Sequence, residues 1–108
     1  MAGTYKADSP EIGVLKTVGY RVGKDGLSIR NRRALLDHAM MSDLPFVGSP
    51  AHMREWGEPG SLTRYRKLRR VIAGFRTGAS QQEHLAKAFD NWNSDLAYIE
   101  AVWKRRVR

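Results

Sequence analysis

From Leu85 to Trp103 the apolar residues Leu85, Phe89, Trp92, Leu96, Ile99 and Trp103 step by four and three. That spacing gathers them into one stripe of an α-helix and would scatter them over both faces of a strand. A second stripe of Leu62, Tyr65, Leu68, Val71, Ile72 and Phe75 recurs at the 3.6-residue helical period. Val18, Tyr20 and Val22 give the one brief alternation of the strand kind. The pattern therefore predicts an all-α protein: a single compact domain of four to five helices with a long C-terminal helix. At 108 residues one domain is the natural expectation, with residues 1–8 as a flexible leader and 9–108 as the helical domain.

Capping chemistry sets the expected boundaries. Ser9-Pro10 and Ser49-Pro50 each place serine at an N-cap and proline at the first helical position, where its missing N–H costs nothing. Ser28 starts a helix over Ile29–Met41, ended by Asp43-Leu44-Pro45 because a residue before proline is pushed out of the helical region. The helix at Ser49 is expected to run about two turns through Trp56, with Gly57 closing it. Ser61 starts a helix to Thr77 with Gly78 as its stop. Ser80-Gln81-Gln82-Glu83 reads as a capping box opening a helix from Gln81 to about Lys104. Such a helix of 24 residues spans about 36 Å and could overhang a small domain, so its 85–103 seam has a second use as a homodimer interface. The glycine-dense segment 19–26 is a turn; it lacks the Gly-Lys-Ser/Thr ending of a phosphate-binding loop.

What the chain lacks narrows its chemistry. It has no cysteine, which excludes disulfides, thiolate metal sites and cysteine nucleophiles. His52 and Glu55 sit three apart beside Trp56, but two ligands do not make a metal site and no second cluster accompanies them. The serines fall at caps, and no nucleophile motif appears. The expectation is a non-catalytic protein without cofactor or metal. No apolar run approaches the ~20 residues of a membrane span. With no signal-peptide-like start, a cytoplasmic location and no membrane partner are expected.

Charge supplies the functional signal. The net charge is +8, from 19 Lys and Arg against 11 Asp and Glu, and arginine outnumbers lysine by 13 to six. Guanidinium groups fork onto phosphate and stack on rings, where lysine offers a point charge. Between Ser61 and Thr77 lie six basic residues and no acid, a run that repels itself within its own helix. The candidate phosphate contacts are Arg64, Arg66, Lys67, Arg69 and Arg70, with Arg30 and Arg33 extending the patch from the second helix. Tyr20 or Trp56 could stack on a base. A nucleic-acid-binding accessory module, for DNA or RNA, is the first expectation. The alternative is a protein-interaction module with Phe46, Val47, Met53 and Trp56 as anchor patch and the arginine face turned to an acidic partner.

Gly19-Tyr20-x-Val22-Gly23, Gly26-Leu27-Ser28, Arg32-Arg33, Leu44-Pro45-Phe46-Val47-x-Ser49-Pro50 and Glu55-Trp56-Gly57-x-Pro59 form a distinctive text. Together they resemble a small, functionally uncharacterised bacterial family of mobile-element and phage-defence neighbourhoods, over about residues 14–103. The resemblance implies a bacterial, cytoplasmic accessory protein. It carries no activity and transfers no catalytic residue.

Overall fold

The computed structural model of the chain describes residues 10–107; the expected leader at 1–8 and the Ser9 cap lie outside them. Five α-helices follow one another: α1 Pro10–Thr17, α2 Ile29–Met41, α3 Pro50–Arg54, α4 Leu62–Ala79 and α5 Ala86–Trp103. A 3₁₀ turn, Glu83–Leu85, precedes α5, and the described residues hold no strand. Three serine caps form as the sequence predicts. Ser28 Oγ accepts from the Asn31 N–H at 3.2 Å, Ser49 Oγ from His52 at 3.1 Å, and Ser61 Oγ from Arg64 at 3.0 Å. After α3, Gly57 takes φ +65°, and a Cβ there would stand 2.7 Å from the Thr63 side chain, so the turn into α4 demands glycine.

Three boundaries differ from the expectation. Helix α3 is shorter than two turns and ends at Arg54. Helix α4 runs through Gly78 to Ala79, so Gly78 is not its stop. The Ser80–Glu83 capping box does not form. Ser80 has helical backbone angles, φ −63° and ψ −23°, and closes α4 by donating its hydroxyl to the Thr77 carbonyl at 2.9 Å. An N-cap needs an extended backbone, so one serine cannot end α4 and also begin the next helix. Helix α5 consequently starts at Ala86, with no side-chain cap.

Helices α4 and α5 pack along each other, and α2 packs on both. The core joins Leu36, Ala39 and Met40 of α2 to Leu68 and Ile72 of α4 and Leu96 and Ile99 of α5, with Val14 and Leu15 of α1 beneath. The 85–103 seam therefore works inside the fold: Ile99 is wholly buried and Leu96 and Trp103 nearly so. Eighteen residues make α5 about 27 Å long, well within the 37 Å long axis of the molecule. The helix is shorter than the 24 residues on which an overhang was expected.

Two polar clusters lock this packing. Asp95, fully buried on α5, accepts from Tyr20 Oη at 2.6 Å and from Arg32 Nε at 2.8 Å, while Arg32 also donates to the Leu27 carbonyl. Asp37 of α2 accepts from Tyr98 Oη at 2.8 Å and from Trp103 Nε1 at 3.0 Å. Burial, then the charge of Asp95 and the hydrogen bond to it, drive the Tyr20 hydroxyl far above its ordinary pKa. Tyr20 is neutral and donating across the whole ordinary pH range.

Candidate anion-binding groove

The basic run of α4 divides by depth. Arg64 and Lys67, both expected at the surface, are 3% and 2% exposed. Arg64 donates to four backbone carbonyls: Ala39 at 2.6 Å, Ser42 and Trp56 at 2.9 Å, and Gly57 at 3.0 Å. Those carbonyls lie at or beside the C-terminal ends of α2 and α3, where helices leave acceptors unsatisfied and carry partial negative charge. One guanidinium with five N–H groups answers both ends at once, which an ammonium cannot do. Burial lowers the Arg64 pKa, opposed by the charges of Asp43 and Glu58; arginine keeps its proton regardless. Arg64 is a structural staple, not a phosphate contact.

Lys67 Nζ bonds Glu55 at 2.9 Å and lies 5.8 Å above the Trp56 ring. Arg33 on α2 is half-buried, with its guanidinium 4.7 Å from the Tyr98 ring centre. Arg69 is exposed but pairs with Glu100 at 2.6 Å. Of the seven cations expected to meet phosphate, Arg30, Arg66 and Arg70 are exposed without a polar or ring partner among the described residues.

Neither expected stacking residue is available. Tyr20 is 6% exposed and committed to Asp95; Trp56 is 0% exposed. Both are large rings adjoining glycine turns, and the core takes them up. Phe46 stands 65% exposed, so the Phe46/Trp56 anchor patch divides into one surface ring and one core ring.

A larger feature gathers the remaining surface charge. An open groove of about 1130 Å³ runs between the end of α1, the 19–28 loop, α4 and the first turns of α5. Its lining includes Lys16, Arg21, Lys24, Arg70 and Lys87, all exposed, and one acid, Asp25. Its floor is apolar, with Val71 and Phe75 of α4 facing Leu85, Ala88 and Trp92. Phe75 and Trp92 form a tilted ring pair, centroids 5.5 Å apart at 42°. A smaller cleft of about 270 Å³ beneath the α4–α5 turn has the opposite sign, lined by Glu83 and Asp90.

Gly74 and Gly78 also line the groove, four residues apart on α4 and thus on one face. A glycine inside a helix is about 1 kcal/mol less favourable than alanine. Such a position usually reflects a positive φ or a neighbour too close for a Cβ, and here neither applies. Both residues lie within the helix, and an added Cβ would meet nothing within 4 Å. The two glycines leave a stretch of bare helix backbone open in the floor.

Lys16, Arg21, Lys24 and Lys87 come from α1, a loop and α5 and share no period, so spacing along the chain does not group them. The Gly74/Gly78 spacing was the available signal. Among the described residues no group of three or more His, Cys, Asp or Glu could hold a metal ion, and no helix is long and apolar enough to cross a membrane. No family model, curated protein or solved structure matches the chain.

Proposed function

We propose that the protein is a nucleic-acid-binding module whose contact surface centres on the groove and not on the arginine run of α4 alone. The observation that carries this reading is that, among the described residues, five exposed cations stand against a single acid around one groove. Arg66 and Arg30 add exposed cations outside it. A net charge of +8 supports the same reading, since it draws a polyanion from a distance before any specific contact forms. The chain binds without catalysing, in a cytoplasmic accessory role; the residue pattern adds a bacterial mobile-element or phage-defence setting.

Fluorescence anisotropy against labelled DNA and RNA at two salt concentrations tests the proposal. Neutralising about four phosphates on duplex DNA gives a slope of log K against log salt near −3.6. Binding indifferent to salt, or absent at low salt, rules it out. The protein-interaction alternative loses Trp56 as an anchor, because that ring is fully buried.

A further inference from the structure

We infer that the groove takes a segment of unpaired nucleic acid, with bases against the apolar floor and phosphates on the cationic rim. The inference rests on the nucleic-acid reading above and specifies the strand state. A duplex presents phosphates outward and hides its base faces in the stack, so it can satisfy the rim and leave the floor wet. An unpaired strand offers both surfaces together, since every base has a face to stack and every step of the backbone a charge. The groove has the matching pair of surfaces. Phe75 and Trp92 supply rings in the floor, and Arg21, Lys24, Arg70 and Lys87 supply charge on its walls.

The helical glycines point the same way. Gly74 and Gly78 relieve no crowding among the described residues, yet both line the groove. Glycine in such a place lets another molecule come close to the backbone. An acidic amphipathic helix would also bring apolar groups and carboxylates. Charge density separates the two: five exposed cations around one groove suit a ligand charged at every step of its chain.

The test uses the full chain and four probes: oligothymidine of about 12 nucleotides, an abasic strand of equal length, a duplex of equal length, and a glutamate-rich amphipathic peptide. Oligothymidine is expected to bind about tenfold or more tighter than the abasic strand, which keeps the phosphates and lacks the base faces that stack. Its salt slope should be near −2.8 for four phosphates, the single-strand value. It should also quench tryptophan emission, and Trp92→Leu should remove the quenching, because Trp56 and Trp103 are buried in the core. Gly74→Leu, whose Cβ meets no described atom within 4 Å, should weaken oligothymidine about tenfold and leave the thermal midpoint at or above that of the parent. Equal affinity for abasic and thymidine strands overturns the inference, as does a duplex that binds tighter than the single strand; either result leaves the nucleic-acid reading standing. Failure of every oligonucleotide at low salt removes that reading itself. Peptide binding without oligonucleotide binding assigns the groove to a protein partner.

Discussion

The two halves of α4 use the same helix in opposite ways. In its first half Arg64 and Lys67 turn inward, and the Arg64 guanidinium is spent on four carbonyls at or beside the ends of α2 and α3. In its second half Gly74 and Gly78 leave the backbone bare beside a groove rimmed by cations. The first half is crowded and polar where helices usually pack apolar side chains; the second is empty where they usually carry any side chain at all. Positive charge in a helix is therefore not one property. Where it meets helix C-termini it is scaffold, and where it borders open apolar surface it is available to a ligand.

That contrast breaks most sharply at Arg64. Arg64→Ala strands four carbonyl acceptors, and the expected loss is about 3–5 kcal/mol of stability. A hydrogen bond to a charged group contributes about 1.5–3 kcal/mol, and each acceptor left buried and unpaired costs about 1–3 kcal/mol, partly recovered by water. Arg64→Lys should recover little of it, because one ammonium cannot span acceptors from two helix ends. Urea unfolding measures both; a lysine variant as stable as the parent contradicts the staple.

Next in size is Asp95→Asn. It leaves the Arg32 charge buried without its counter-charge, and about 3 kcal/mol should be lost. A loss below about 1 kcal/mol, the scale of an exposed ion pair, would place the pair in solvent.

The pH dependence follows from Tyr20. Its folded pKa lies above its ordinary value of 10.0, so the folded state keeps the proton that the unfolded chain releases. Its contribution is complete below about pH 10 and is lost as pH rises beyond that, at up to about 1.4 kcal/mol per pH unit. The hydroxyls of Tyr65 and Tyr98 are also raised, first by burial, and act with the same sign. Alkaline unfolding should begin near pH 10, and Tyr20→Phe should flatten the decline and lower stability at neutral pH. An unchanged alkaline slope in that variant would count against the assignment.

Smaller effects sharpen the other half of α4. Gly74→Ala and Gly78→Ala should each stabilise the fold by about 0.5–1 kcal/mol, the helix-propensity gain with no crowding to oppose it. Calorimetry decides this, and a fall in the midpoint would show that the backbone there is already in close contact. Smallest for stability are Arg66→Ala and Arg70→Ala, each expected within about 0.5 kcal/mol of the parent. Arg70→Ala should instead lower the salt slope of oligonucleotide binding by roughly one. Arg64 and Arg70 thus predict opposite profiles, one in folding and the other in binding.

The sequence by itself determined the helical class, the stripes that make α4 and α5 pack, and the three serine caps. Those are local or periodic properties, and spacing along the chain expresses them directly. Its one strong misreading, Ser80–Glu83, was also local: a serine between two helices can cap either, and the pattern does not say which. Tertiary structure alone decided which cations are buried. Arg64 and Arg66 are two residues apart with similar neighbours, and only the arrival of two helix ends beside Arg64 makes its burial favourable. It likewise assembled the groove, because Lys16, Arg21, Arg70 and Lys87 share no register and meet only when α1, the loop, α4 and α5 converge. Periodicity reports which face of a helix is apolar; where charge is neutralised or left open depends on what the rest of the chain brings to it.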